Sequence, residues 1–168
     1  MKKQRQPSWR CFFDIYECYN LNLIIMTDIA NLIREYFLLD DGVLIHHHEE
    51  LLKLLEIDNS NENHPHCNKR VYMTRRALKH MVESRRKDLS IRHTSEDVLT
   101  VITFAALSIT DVILHFDHYE LEPENKHFFT KDFSSEGMPK VRVLLNNDAG
   151  NLLIKSVHFV RRTKKHHE

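Results

Sequence analysis

Hydrophobic positions recur along this chain with two different periods, and the change between them divides it. Ile29, Leu32, Ile33, Tyr36 and Phe37 follow an i, i+3, i+4 spacing behind Thr27-Asp28, a pair with N-cap chemistry. The pattern predicts a helix to about Leu39, ended by Asp40-Asp41-Gly42. Val43-Leu44-Ile45 is a short apolar stretch, and helical spacing resumes from Glu49 to Leu55 through Leu51, Leu52, Leu54 and Leu55. Asp58 to Asn68 is polar, Asn-rich and holds Pro65, so it reads as a linker between a domain over 1–68 and a domain over 69–168. Beyond it Arg70 to Met73 is a short strand. Thr74 then caps a helix whose apolar face is Ala77, Leu78, Met81 and Val82. Thr94 or Ser95, with Asp97 behind it, opens another helix carrying Val98, Val101, Ile102 and Ala105.

From Thr110 the period falls to two. Val112 to Glu120, Lys126 to Phe133, Lys140 to Leu145 and Asn151 to Val160 read as four strands, and Asn146-Asn147-Asp148-Ala149-Gly150 supplies the turn of the last hairpin. Helices followed by an antiparallel meander predict an α+β fold: an N-terminal helical extension, then two helices packed on one face of a four-stranded antiparallel sheet. No internal repeat or low-complexity tract interrupts this layout.

Composition agrees with a packed core. Of 168 residues 42% are hydrophobic and 29% charged, with only 3 Gly and 4 Pro, which argues against disorder or a fibrous repeat. Cys11, Cys18 and Cys67 are too few, and odd in number, for a disulfide framework, and they suit a reducing, cytoplasmic setting. Met1 to Arg10 is basic and Cys11 to Ile25 partly apolar, yet Asp14 and Glu17 interrupt the run and no small-residue cleavage site follows. No stretch approaches the roughly 18 apolar residues of a membrane span, so neither secretion nor membrane insertion is expected. Met26 opens the cleaner helix, which makes residues 1–25 a loosely attached extension or the product of a misplaced start.

The net charge of zero conceals segregation. Asp28 to Glu62 holds nine acids against two bases, or −7, and Lys69 to His93 nine bases against two acids, or +7. Asp111 to Glu136 has seven acids and two bases, or −5, and Lys155 to Glu168 five bases and one acid, or +4. The two basic segments fit an anionic partner such as a phosphate backbone, and the acidic Asp28–Glu62 stretch fits a cover over a basic cleft, as an inhibitor or acidic partner would provide.

Missing motifs narrow the chemistry. The chain has no phosphate-binding Gly-rich loop, dinucleotide fingerprint, Cys-x-x-Cys pair or His-Glu-x-x-His, so no cofactor is expected. His46-His47-His48 and His64-Pro65-His66-Cys67 invite a metal, but adjacent histidines on a strand diverge and the second group falls in the expected linker. They read as exposed, adventitious histidines, and no metal is expected. Glu120-Leu121-Glu122 sets two carboxylates on one strand face, a pattern also found in ADP-ribosyltransferases, without the Arg and Ser partners that chemistry needs. The richer constellation starts at Val71-Tyr72-Met73-Thr74-Arg75-Arg76-Ala77-Leu78-Lys79-His80, where a strand feeds a capped helix and His80 falls one turn from Arg76 and Ser84. A histidine there exchanges protons near neutral pH while arginines attract phosphate. Phe128-Phe129-Thr130-Lys131 and the hairpin Val141–Leu145 and Leu152–Phe159 then interleave basic, hydroxyl and aromatic side chains. Ser156 and His158 are expected on one face, Lys155 and Phe159 on the other.

This series of strand, helix bearing Leu-Lys-His, second helix, aromatic-Thr-Lys strand and Val-rich closing hairpin resembles the barnase/EndoU/colicin/RelE-type ribonucleases, and most of all their phage-encoded branch, over residues 69–163. The resemblance implies RNA as partner and metal-independent endonucleolytic cleavage, in which one group takes the proton of a 2′-OH that attacks the adjacent phosphorus and a second protonates the departing 5′-oxygen, leaving a 2′,3′-cyclic phosphate. It assigns His80 as acid or base, Arg85 and Lys131 as stabilisers of the transition state, and Ser156 as a phosphate hydrogen-bond donor. Arg76, Arg86, Arg142 and His158 would bind substrate; His158 or His93 would supply a second base, and Arg86 is the alternative helical cation. The family analogy further suggests a toxin or effector role. The alternative is a module that binds RNA or a protein on the same basic face without cutting.

Overall fold

The computed structural model describes residues 23–60, 62–90 and 94–160, with side chains from Thr27 onward. His93, Cys11, Cys18 and most of the 1–25 extension lie outside the described residues. Within them the chain forms α1 (Leu23–Leu38), β1 (Leu51–Glu56), β2 (Arg70–Thr74), α2 (Arg75–Ser90), α3 (Ser95–Leu107) and α4 (Ile109–Leu114). Then come β3 (His118–Glu122), β4 (Lys126–Lys131), β5 (Lys140–Asp148) and β6 (Asn151–Val160). The fold is mixed α+β, built on one six-stranded sheet in the order β1-β2-β6-β5-β4-β3.

That order enlarges the four-stranded meander expected from the sequence. β3 to β6 pair antiparallel as anticipated, but β2 adds to β6 in parallel and β1 adds outside β2. The boundary expected at Asp58–Asn68 therefore falls inside one sheet, because the strands on either side of it are hydrogen-bonded neighbours. Ile57 N–H donates to Lys69 O at 2.9 Å and Asn68 N–H to Ile57 O at 2.8 Å, which extends the β1–β2 pairing into the loop.

Leu51 to Leu55 is a strand and not the helix its spacing predicts. The register slips between Lys53 and Leu55, and this bulge turns the consecutive Leu54 and Leu55 both inward. A bulged strand thus mimics the i, i+1, i+4 apolar pattern of a helix. The opposite error occurs at Val112-Ile113-Leu114, which reads as strand but forms α4. Ile109, Val112 and Ile113 are buried, so packing overrides the β preference of this branched run. α1 begins at Leu23, so Thr27 and Asp28 lie inside the helix and do not cap it.

Other local readings hold. Thr74 Oγ1 accepts from Ala77 N–H at 3.0 Å at the start of α2, and Thr94 Oγ1 accepts from Asp97 N–H at 3.2 Å at the start of α3. Asp148 pairs with Asn151 across Ala149 (φ 46°) and Gly150 (φ 85°), both left-handed as a type I′ turn requires. α3 and α4 together, Ser95–Leu114, form one stretch apolar and long enough to cross a membrane by composition alone, which the sequence reading did not anticipate, and 56% of it is buried within the fold. All four helices feed one core with Val71, Phe129, Val143, Leu145, Leu152 and Ile154 from the sheet.

Candidate functional site

Alternation fixes which strand residues leave the core. Val141, Val143 and Leu145 of β5 are buried, so Arg142 and Leu144 project to the outer face, and register places His158 opposite Arg142 and Ser156 opposite Leu144. β6 keeps this parity only because its pairing slips between Leu144 and Leu145: Ile154 and Val157 are both buried, three residues apart, and Lys155 is the exposed residue in the bulge. Ser156 and His158 therefore share a face, as expected, while Phe159 packs toward the core.

Ser156 Oγ and His158 Nε2 are 2.8 Å apart, within one hydrogen bond. Burial, followed by the positive charges of Arg85 and Arg142, lowers the proton affinity of His158 and favours its neutral form. Arg142 lies over Phe128 with its guanidinium carbon 3.9 Å from the ring centroid, and it donates to Glu120 at 2.8 Å with Glu122 at 3.8 Å. Arg85 pairs with Asp88 at 3.0 Å from the inward side of α2. Each arginine leaves its Nε buried without a hydrogen-bond partner. Arg142 and Ser156, two of the residues expected from sequence, thus lie against the imidazole of a third, His158, and the charge of a fourth, Arg85, acts on it.

The other four are placed elsewhere. His80 is exposed and five residues before Arg85, which at about 100° per residue puts it some ~140° round the helix from Arg85. No hydrogen bond or ion pair joins it to Ser156, Arg85 or Lys131 among the described residues. It lines an open cavity of about 670 Å³ with Val43, Ile45, Lys79, Glu83 and Lys155. Lys131 projects to the core side of β4, opposite Val141, where Asp111 holds it at 2.8 Å and Phe133 lies under its ammonium. Arg86 is structural: its guanidinium donates to Phe37 O and Leu39 O, both at 2.8 Å, and pairs with Asp41, closing the end of α1. Arg76 is exposed and 3.6 Å from Glu49.

Ion pairs explain most of the segregated charge. Arg70 meets Glu56, Arg75 meets Glu50, Arg76 meets Glu49, and Arg86 and Lys87 share Asp41. The acidic stretch does lie along the basic helix, as a built-in part of the fold.

The histidines of the presumed linker are a second correction. His64 and His66 are 5% and 7% exposed, not adventitious surface groups. His64 Nε2 is 2.8 Å from Ile113 O and its Nδ1 accepts from His66 N–H at 3.1 Å. His66 Nε2 is 3.0 Å from His127 Nδ1, which is 2.9 Å from Tyr119 Oη. Burial, then the neighbouring His127, Lys69 and His64, pushes His66 down to about 4, and burial lowers His64 and His127 as well. These rings pin the 57–69 loop to α4 and β4. Among the described residues no group of three or more His, Cys, Asp or Glu is arranged to hold a metal ion.

Comparison with protein-family models, with curated proteins and with solved structures finds no match to this chain.

Proposed function

We propose that the protein binds single-stranded RNA on the outer face of its sheet, with a backbone phosphate at Arg85, Arg142, Ser156 and His158. The observation that carries this is the environment of His158: two guanidinium groups set a positive local potential around a ring that also holds a hydroxyl. Arg142 already holds one anionic group, the Glu120 carboxylate, at 2.8 Å, and a phosphate oxygen takes the same kind of contact. Phe128, already stacked with Arg142, offers the aromatic surface on which a base stacks. Glu120 and Asp88 compete with the phosphate for these cations, so binding is expected to be weak and steeply salt-dependent. Fluorescence anisotropy with a labelled RNA oligonucleotide tests it: Arg142→Ala should weaken binding on the order of tenfold. Equal affinity in the variant would refute this placement.

A second reading, metal-independent cleavage of RNA, is favoured by one feature of the same cluster. An imidazole beside a hydroxyl and the charges of two arginines has the parts to take a proton from a ribose 2′-OH as it attacks phosphorus, while the arginines stabilise the phosphorane; the P–O5′ bond then breaks and the 5′-oxygen takes a proton from water. In this reading His158 takes the part expected of His80. Incubation with total RNA in excess chelator separates the two. Cyclic-phosphate ends that vanish in His158→Ala but persist in His80→Ala would establish cleavage at this cluster, and no cleavage leaves the binding module.

A further inference from the structure

The cavity beside α2 abuts the phosphate cluster along two elements. On β6, Lys155 lines the cavity while the next residue, Ser156, hydrogen-bonds His158. On α2, His80 and Glu83 line the cavity, and Arg85, two residues beyond Glu83, is the helix cation whose charge acts on His158. The separation from Lys155 to His158 is three strand residues, or about 10 Å.

The cavity is a built site. Its floor is a Lys79–Glu83 ion pair one turn apart on α2, and the Lys79 side chain is only 7% exposed. Glu83 also accepts from Gly42 N–H at 3.1 Å, which holds the 42–45 segment over the helix. Gly42 has φ +77°, a conformation side chains rarely adopt. Val43, Ile45 and Leu153 make an apolar wall. At the rim, Lys155 and His80 have no hydrogen-bond or ion-pair partner among the described residues, in contrast to Lys79, Arg86 and Lys131. A volume near 670 Å³ is that of a small-molecule site. A flat heterocycle with a phosphate matches an apolar wall beside an unengaged lysine and an unengaged imidazole, and a neighbouring nucleotide of the strand held at His158 delivers both.

We infer that this cavity is a second nucleotide subsite, taking the base against Val43, Ile45 and Leu153 and the adjoining phosphate on Lys155 and His80. The inference rests on the RNA-binding reading above and extends it by one nucleotide. It also gives His80 a role in binding, apart from chemistry.

A length series on the full chain distinguishes the two levels. Affinity is measured by calorimetry for a mononucleotide, which reports the His158 cluster, and for the matching dinucleotide, whose gain reports the cavity. The wild type should bind the dinucleotide at least about tenfold more tightly. Lys155→Ala and His80→Gln, both at exposed positions, should erase most of that gain and leave mononucleotide affinity unchanged. A gain that persists in both variants, or no gain in the wild type, overturns the subsite and leaves the RNA-binding reading standing. Absence of binding by either ligand overturns both.

Discussion

Acid should unfasten the loop that carries His64 and His66. His66 falls from the ordinary 6.5 to about 4 in the folded chain, chiefly through burial. A folded value below the unfolded one means that the unfolded state binds the proton more readily between these limits, so stability falls as pH drops through them. At about 1.4 kcal/mol per pH unit, His66 alone contributes on the order of 3 kcal/mol above pH 6.5, about 2 kcal/mol of which is gone at pH 5. His64 and His127 shift in the same direction and steepen the slope. The groups facing this cluster are Tyr119 from β3, His127 from β4, Ile113 O from α4 and Lys69 from the loop's own end, with no carboxylate among its polar partners to compensate a charged ring. The assay is urea unfolding at half-unit steps from pH 7.5 to 4.5, with amide exchange of the 57–69 backbone to locate the opening. His66→Gln keeps a hydrogen-bonding group without the titration, so its stability curve should be flatter by close to one proton. A wild-type stability unchanged between pH 7 and 5 would refute the reasoning, because it would show that the rings are solvated.

Three further outcomes follow from buried charge and from the placement of the histidines. Glu83→Ala strands Lys79 in a 7% exposed position and removes the acceptor for Gly42 N–H, so thermal unfolding should register a loss of about 3 kcal/mol. Arg86→Ala uncaps α1 at Phe37 O and Leu39 O and should cost about 2 kcal/mol, whereas Arg76→Ala, exposed and 3.6 Å from its partner, should cost less than about 0.5 kcal/mol in the same melt. An NMR titration of His158 with inorganic phosphate should raise its proton affinity, since an anion offsets the arginine charges that lower it; a ring that titrates identically with and without phosphate places the anion elsewhere.

Local rules succeeded where a single side chain decides the backbone. The Thr74 cap, a cap at Thr94 or Ser95 and a turn within Asn146–Gly150 were legible because a cap or a left-handed pair acts within four residues, although Asn146 to Asp148 belong to β5 and the turn itself is Ala149-Gly150. They failed where tertiary contact decides. The Leu54 bulge and the helical Val112–Leu114 run depend on what lies against them, and β1 joins β2 across a loop whose composition resembles a linker. For the candidate site, strand alternation was enough to put Ser156 and His158 on one face, whereas Arg142 joins them through a register that depends on the slip between Leu144 and Leu145. The helical cations were not separable by spacing. Arg85 and Arg86 are consecutive, yet one pairs with Asp88 and acts by its charge on His158 while the other holds the end of α1, and that choice is made by the helix's rotation on the core through Leu78, Met81 and Val82. His64 and His66 were invisible as core residues because only β4 and α4, distant in sequence, bury them.

The same contrast explains why a run of nine bases is a poor guide to the proposed RNA-binding face. Within Lys69–His93, Arg70, Arg75, Arg76, Lys79, Arg85, Arg86 and Lys87 all meet a carboxylate, most of them from the acidic segment that precedes the helix. The charge blocks are therefore first a device for docking α1 and β1 onto α2. What remains for a ligand is set by which pairs are exposed and which donors are left over: Lys155 and His80 at the cavity, and the partly exposed Arg142–Glu120 pair at the cluster. Salt then acts on two things at once. Added salt weakens the exposed pairs that seat the acidic segment as well as any phosphate contact. The salt slope of RNA affinity consequently counts phosphate contacts only after the protein's own salt-dependent stability has been measured and subtracted.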